Sequence, residues 1–402
     1  MSNDENTQAF LQEILLQSPE HLQADVLRLQ DLWEQKLWHE LTETLITIFN
    51  NPESASSRLP IYNNFILQFA DKINQLKLVD LALKAAQQCS GQYSKNLQER
   101  LSFTEAVAKK VDPEEEKKKN KSADEEEDPN SRNAYVYATV AVAQVKLDLG
   151  NLDDARKDLA KAEKKLDVFD SVETVVHAAF YKINADFYYL KQDFASYYRN
   201  ALLYLACIDI KSLDAAECRK RAYDLATAAL VSTSIYNFGE LLLHPVLDAL
   251  NNDKDRWLRE LLFTFNAGDL VKYDQLSGSI NSDKLLAQHK EKLREKIYLA
   301  ALTEAVFRRP PHERAMSFAT IEQETKVKPH EIEHLVMKAL SLGLLRGTVD
   351  QVDEVANINW VQPKVLDFKQ IDSMRSRLAE WDSSVNQLGN WIEKSGQDVW
   401  AA

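Results

Sequence analysis

Cysteine, glycine and proline are scarce in this chain, whose 402 residues include 3 Cys, 9 Gly and 10 Pro. The cysteines, Cys89, Cys207 and Cys218, are widely spaced and form no CxxC pair, which excludes a disulfide framework and a thiolate metal site. This usage is typical of a reducing compartment. No run of about 18 apolar residues and no secretory pattern occurs, so we expect neither secretion nor a membrane span.

Positive charge is also in short supply. The 49 Lys and Arg residues against 62 Asp and Glu give a formal net charge of −13, which repels a phosphate backbone unless basic residues are segregated locally. We therefore expect no nucleic-acid partner. The patterns G-x-x-x-x-G-K-[ST], G-x-G-x-x-G and G-x-S-x-G are missing from the sequence, so it offers no site for nucleotide or acyl chemistry.

Helix-forming residues dominate what is present. Apolar residues make up 45% of the chain, and long stretches of Leu, Ala, Glu, Lys and Gln predict a mostly α fold with two or three domains. Residues 36–49 and 69–82 are amphipathic with helical periodicity. The aromatic residues of this region are predicted to form core rather than a ligand-binding box: Trp33, Trp38, Tyr62, Phe65 and Phe69.

A helix–turn–helix theme recurs without a fixed period. Comparable turns lie near Gly150, Lys191, Ile235 and Gly268, and aligned positions within them are 40, 44 and 34 residues apart. These spacings are close to the roughly 34-residue unit of tetratricopeptide (TPR) arrays. Because one helix pair cannot cover its own apolar face, we predict a right-handed, TPR-like solenoid that presents a surface to other proteins.

The sharpest change in composition lies at residues 112–133, where charge blocks and two prolines leave no large apolar side chain to bury. We predict a disordered, solvated linker, with a binding or phosphorylation segment as the alternative. The predicted domains are N-terminal helical repeats at 1–111, the acidic linker at 112–133, further helical repeats at 134–297, a winged-helix module at 298–366, and a terminal bundle helix with its tail at 367–402.

The winged-helix prediction rests on the pattern after Arg309. Two prolines end the preceding helix, SFATIEQET predicts a short helix, and Pro329 opens another at its favoured first-turn position. The β-prone runs LLRGTV and VANINW then flank an acidic turn. The second run is predicted to be an exposed sheet edge that contacts another protein through Val355, Ile358 and Trp360.

The third helix of this module carries a literal zinc-hydrolase motif, HExxH, at His330–His334. Both histidines fall on one helical face, but no third ligand follows at the expected spacing. Leu340 stands at one such position, and the nearest downstream acid, Glu354, lies in the turn. We favour an exposed polar helix face over a zinc peptidase. The helix is also acidic, which disfavours DNA reading, and we predict no metal, cofactor or catalytic residue.

The C-terminal segment has a heptad pattern. Its apolar residues alternate steps of three and four over three repeats, a spacing typical of a helix that packs against partner helices. Packing on its own domain is the alternative, because bundle helices produce the same pattern. We predict a protein interface at Ile371, Met374, Leu378, Trp381, Val385, Leu388 and Ile392.

Together these parts resemble a known architecture. Helical repeats, a winged helix and a trailing helix are typical of PCI-domain proteins. The segments LWHELTE, DKINQL, YNFGELLLHP, LLAQH and EIEHLVMKALSLGLLRGTVDQVDEVANINWVQPKVL are similar to the family of non-ATPase subunit nine of the 26S proteasome regulatory particle. The likeness extends over most of the chain and fades at the first residues and the acidic linker.

The resemblance implies a hetero-oligomeric scaffold subunit of the regulatory-particle lid, without enzymatic activity, that supports lid assembly and ubiquitin-dependent degradation. It further implies contacts with other PCI and MPN subunits, a solenoid near the intrinsic ubiquitin receptor, a terminal helix in a shared bundle, and a location in cytoplasm and nucleus. The alternative is a PCI scaffold of another complex, either the signalosome or translation initiation factor three. A zinc peptidase is the remote alternative.

Overall fold

The computed structural model divides the chain into two compact units, Met1–Ser212 and Leu213–Ala402. The residues that it describes are 3–17, 20–87, 94–112, 129–168, 172–252, 254–310, 313–363 and 368–400. Cys207 and Cys218 are free thiols.

The first unit is helical in all its described elements, as the composition predicts. Its α-helices are α1 (Asn3–Gln17), α2 (Glu20–Glu34), α3 (Trp38–Asn50), α4 (Arg58–Asn64), α5 (Gln75–Ala86), α6 (Ser94–Lys110), α7 (Pro129–Asp148), α8 (Leu152–Leu166), α9 (Thr174–Leu190) and α10 (Phe194–Cys207). Short 3-10 turns lie at Pro52–Ser54, Ile66–Gln68, Ala70–Lys72 and Ile210–Ser212.

Two helical hairpins, α7–α8 and α9–α10, share one turn geometry. Gly150 (φ 82°) and Gln192 (φ 62°) have left-handed backbone conformations. The backbone N–H of the residue after each one donates a hydrogen bond to the carbonyl five residues before it, which is that of Lys146 in the first turn and that of Tyr188 in the second. This bond satisfies carbonyls that the end of a helix leaves without partners. Asp193 then accepts from the Ser196 N–H at 3.3 Å and begins α10. The predicted turns near Gly150 and Lys191 are confirmed.

An apolar core runs through the first unit from α1 to α9. Of the predicted core aromatics, Tyr62, Phe65 and Phe69 are no more than 2% exposed. Trp33 and Trp38 pack against this core but keep part of their surface open to solvent. The core prediction is therefore confirmed for three of the five aromatic residues. The two tryptophans lie at the border of the core, where they line a pocket together with Phe69.

The predicted acidic linker is too long at its C-terminal end. Pro129–Asp148 is helical, and Ser131 and Asn133 are buried in its first turns, although the prediction included residues up to 133. Proline fits the first turn of a helix because backbone N–H groups there have no acceptor within the helix, so the N–H that proline lacks costs no hydrogen bond. Residues 113–128 lie outside the described residues.

The second unit adds a small sheet to its helices. Its elements are α11 (Ala215–Val231), α12 (Gly239–Leu243), a 3-10 helix at Pro245–Leu250, α13 (Arg256–Ala267), α14 (Leu270–Ser282), α15 (Lys284–Gln288), α16 (Lys290–Phe307), β1 (Ala315–Ser317), α17 (Phe318–Thr325), α18 (Pro329–Ser341), β2 (Leu345–Asp350), β3 (Val355–Val361) and α19 (Phe368–Trp400).

The turn predicted near Gly268 joins α13 to α14 and is confirmed. Gly268 has φ 65°, and Asp269 accepts from the N–H groups of Val271 and Lys272 at 3.1 and 3.2 Å to begin α14. The junction predicted at Ile235–Gly239 does separate two helices, but residues 232–238 form an irregular segment before the short α12 and not a tight turn. Burial of Phe238, 1% exposed, fixes this segment instead.

A buried lysine on α16 stabilises the end of α11. The Lys296 side chain donates three hydrogen bonds, to the carbonyls of Ala229 (2.7 Å), Leu230 (3.2 Å) and Ser232 (2.8 Å). Its Nζ also lies 5.0 Å from the ring centroid of Phe238. A cation is favourable at a helix C-terminus, where the last carbonyls carry partial negative charge. Burial lowers the pKa of Lys296 to about 7.

The winged-helix prediction is confirmed, with one strand that the sequence did not reveal. Helices α17 and α18 are followed by the antiparallel pair β2–β3, and β1 joins the sheet in the order β1–β3–β2. In the register, Ala315 lies opposite Asn357 and Leu345 opposite Val361. The module's core includes residues from the second half of α16 as well as from α17, α18 and all three strands.

Candidate protein-interaction surfaces

The terminal helix α19 presents its apolar stripe to solvent. All seven predicted seam residues are between 45% and 67% exposed, with Val385 the least and Trp381 the most. Along the helix, every side chain that the structure describes, within 371–395, is exposed. We call the stripe of Ile371, Met374, Leu378, Trp381, Val385, Leu388 and Ile392 the terminal seam.

An exposed stripe of this length calls for a partner. Burying one such side chain is worth about 1.5–3 kcal/mol, and contiguous apolar surface on a folded protein marks an interaction site. In the described part of the helix, the polar contacts are local, such as the Arg375–Asp372 ion pair at 2.7 Å and the Asn386–Asp382 hydrogen bond at 3.2 Å. They leave the terminal seam uncovered.

Trp391 is a further exposed aromatic residue that the heptad pattern did not select. It is 64% exposed and precedes Ile392, so it falls just beside the terminal seam. Its spacing of three residues from Leu388 places the two on neighbouring positions of the helix surface. Tryptophan is enriched in interface hot spots, so its presence in the C-terminal segment is a sequence signal that could have identified Trp391 as an interface candidate.

The predicted sheet edge at Val355–Trp360 is wrong. Strand β3 is the central strand, because β1 and β2 both pair with it. Ile358 is 4% exposed and belongs to the module's core, while the guanidinium of Arg346 on β2 lies 4.6 Å from the ring centroid of Trp360. The edge was misassigned because the three-residue β1 is too short to leave a period-two pattern.

The outer edge of this sheet is β2 on one side and the three-residue β1 on the other. On β2, Arg346, Thr348 and Asp350 are exposed. An outer strand leaves alternate backbone N–H and C=O groups unpaired within its own sheet, and another chain can extend it. The geometry therefore moves the candidate edge contact from β3 to β2.

The HExxH histidines lie on the open face of α18. His330 and His334 are exposed, and the opposite face buries Ile332, Val336 and Ala339, as the helical wheel predicts. Within the described ranges, no group of three or more His, Cys, Asp or Glu residues is arranged to hold a metal ion. Absence of zinc binding stays a prediction, which zinc titration of the metal-free protein would test.

Comparison with protein families covers nearly the whole chain. Residues 25–262 match the PSD13 N-terminal repeats, residues 271–360 match the PCI domain, and residues 364–396 match the Rpn9 C-terminal helix. The last match coincides with the helix that carries the terminal seam.

Full-length relatives agree with these matches. The chain is 41% identical to the probable 26S proteasome regulatory subunit rpn9 of Schizosaccharomyces pombe, over 98% of both proteins. The chain belongs to the Rpn9 family of 26S proteasome regulatory subunits. It is also 35% identical to 26S proteasome regulatory subunit RPN9 of Saccharomyces cerevisiae over all of both chains, and 33% identical to 26S proteasome non-ATPase regulatory subunit 13 of Dictyostelium discoideum over 94% of both.

The alternative complexes are not favoured. Similarity to subunit M of eukaryotic translation initiation factor 3 from Chaetomium globosum is 25% over 48% of this chain. Similarity to COP9 signalosome complex subunit 7 from Dictyostelium discoideum is 22% over 40% of this chain. Membership of the Rpn9 family confirms the resemblance read from the sequence.

Proposed function

We propose that this chain is a non-catalytic scaffold subunit of the lid of the 26S proteasome regulatory particle, which the terminal seam joins to helices of neighbouring lid subunits. The observation that carries the proposal is the exposed seam on α19, in the segment that matches the Rpn9 C-terminal helix. A helix whose apolar residues stay outside its own domain is suited to a bundle made with other chains.

The winged helix supplies a second contact in this proposal. This contact is with another PCI subunit, which binds along the exposed edge of β2. MPN subunits contribute helices to the bundle that α19 joins. The proposal also includes a solenoid that lies near the intrinsic ubiquitin receptor, as the resemblance to the family implies. A location in the cytoplasm and nucleus is part of the same proposal. In the described residues, no helix has the length and apolarity needed to cross a bilayer.

Trp381→Ala tests the terminal seam at its most exposed residue, which is also its aromatic one. Large buried aromatics are the usual anchors of interfaces, and truncating one that is fully packed costs about 3–5 kcal/mol. We therefore expect Trp381→Ala to lower incorporation into lid particles, measured by co-purification with the other lid subunits.

Glu380→Ala is the matched control, because it changes an exposed residue beside the seam on the same helix turn. It should be incorporated as the unaltered chain is. Full incorporation of Trp381→Ala, or an equal loss in Glu380→Ala, would contradict the proposal.

A further inference from the structure

A pocket of about 410 Å³ opens in the first unit beside the turn between α2 and α3. Three aromatic rings form its walls. The ring centroids of Trp33 and Trp38 are 5.5 Å apart, and Phe69 lies 5.5 Å from Trp33 and 5.7 Å from Trp38. Phe69 is buried, whereas both tryptophans keep part of their surface open.

The turn itself brings the two indoles together. Lys36 has φ 57°, and its N–H donates to the carbonyl of Trp33 at 3.2 Å, while the Leu37 N–H donates to Leu32 at 3.1 Å. This is the left-handed helix ending also seen at Gly150. Trp33 lies in the last turn of α2 and Trp38 is the first residue of α3. The turn between them therefore brings into contact two rings that are five residues apart in the sequence.

Hydrogen-bond donors are in excess around these rings. The exposed side chains of Lys36 and Lys72 line the pocket, and neither makes an ion pair with a carboxylate of the described residues. The Lys72 Nζ lies 4.6 Å from the Trp38 ring centroid, which is a cation–π contact. In the described structure, neither indole N–H of Trp33 and Trp38 has a hydrogen-bond acceptor.

Two side chains that line the pocket already accept a hydrogen bond. Glu34, the carboxylate in its lining, accepts from the Gln8 amide at 3.2 Å, and the Gln68 carbonyl oxygen accepts from the Thr7 hydroxyl at 2.6 Å. The charged groups that line this aromatic pocket are Lys36, Lys72 and Glu34. They carry a formal excess of one positive charge, in a chain whose overall net charge is −13.

We propose that this pocket binds an acidic segment of a partner protein. A carboxylate side chain of the segment lies against Lys36 and Lys72, and an adjacent aromatic side chain packs on the indole rings. Charge-assisted hydrogen bonds to a carboxylate are about twice as strong as neutral ones, and aromatic rings favour offset or edge contacts at these distances. The pocket shares no residue with the terminal seam, and this proposal does not depend on the proposed function.

Indole resonances of the full-length protein, labelled with ¹⁵N-tryptophan, report on the pocket directly. Trp33→Phe and Trp38→Phe assign the two signals. We expect the peptide acetyl-Glu-Phe-Glu-amide to shift the Trp33 and Trp38 signals and leave the other indole signals in place. The neutral peptide acetyl-Gln-Phe-Gln-amide should bind at least about tenfold more weakly, because it cannot place a carboxylate against the lysines.

Charge removal provides the second arm. Both lysines are exposed, so the double variant Lys36→Gln, Lys72→Gln should fold and bind the acidic peptide at least about tenfold more weakly. Lys110→Gln, which changes an exposed lysine at the end of α6, should bind as the unaltered chain does. Equal binding of the two peptides, no shift at Trp33 and Trp38, or unchanged binding by the double variant would overturn the proposal.

Discussion

Helices α18 and α19 carry apolar stripes of similar periodicity but differ in burial. On α18 the stripe is at most 8% exposed and consists of Ile332, Leu335, Val336 and Ala339. On α19 the terminal seam is at least 45% exposed. The difference lies in the neighbours, because α18 packs against α16, α17 and β2, whereas the described side chains of α19 are open along its length.

Periodicity therefore identifies the apolar face of a helix and leaves open which chain covers it. A stripe buried within its own module stabilises the free chain. A stripe left exposed contributes little to the stability of the free chain, and its main contribution is to the stability of an assembly in which a partner covers it. Substitutions on the two helices should separate these two contributions.

Ile332→Asp should have the largest effect on the free chain. The side chain is 0% exposed in the winged-helix core, so the substitution buries a carboxylate without a partner. Such a group costs about 3–5 kcal/mol. We expect the second unit to unfold at a markedly lower denaturant concentration, measured by circular dichroism, while Glu331→Asp on the exposed face changes little. An unchanged midpoint for Ile332→Asp would contradict the winged-helix core.

Lys296→Met should have the next largest effect. Methionine keeps the length of the side chain but leaves the carbonyls of Ala229, Leu230 and Ser232 without their donor. Losing hydrogen bonds to a charged group costs about 1.5–3 kcal/mol. The free energy of unfolding should fall by about 2 kcal/mol, and an unchanged value would show that water or other groups satisfy these carbonyls.

The same lysine predicts a dependence on pH. Its pKa is about 7 in the folded chain and is ordinarily 10.5, so the unfolded state binds more protons between these values. Stability therefore rises with pH in this window and is lost as pH falls through 7. The free energy of unfolding should increase from pH 7 to 9 in the unaltered chain, and Lys296→Met should show a smaller slope. Equal slopes would contradict the assignment.

Gly268→Ala should have an effect of comparable size, with Gly150→Ala as its control. Both glycines are left-handed, with φ 65° and 82°, so alanine costs about 1–2 kcal/mol at either turn. Only at Gly268 would the added Cβ also lie 2.7 Å from the Ala301 Cα. We expect Gly268→Ala to lower the unfolding free energy about 1 kcal/mol further than Gly150→Ala. Equal losses would show that the hairpin does not press on α16.

Sequence reasoning predicted the helical class, three of the four repeat turns and the winged helix, because periodicity and helix-end residues are local signals. It missed β1, since three residues carry no pattern, and so misplaced the sheet edge on β3. It treated Trp33 and Trp38 as core, because the left-handed Lys36 that aligns their rings has no sequence signature. Exposure of Ile371 and the rest of the terminal seam is a property of tertiary packing, which a heptad pattern does not specify.

The smallest effect on the free chain should come from Leu378→Asp, and this variant tests the central claim most directly. Leu378 is 62% exposed, so a carboxylate there stays hydrated in the free protein. In an assembled bundle it would become a buried, unpaired charge. The adjacent Ala379→Asp, at an exposed position outside the seam, is the charge-matched control.

The decisive measurement pairs thermal unfolding of the free protein with incorporation into lid particles on native gels. We predict that Leu378→Asp leaves the melting temperature within about 1 °C of the unaltered chain, a shift that corresponds to a few tenths of a kcal/mol, yet abolishes incorporation, while Ala379→Asp changes neither. A markedly lower melting temperature for Leu378→Asp, or its normal incorporation, would contradict an intermolecular role for the terminal seam.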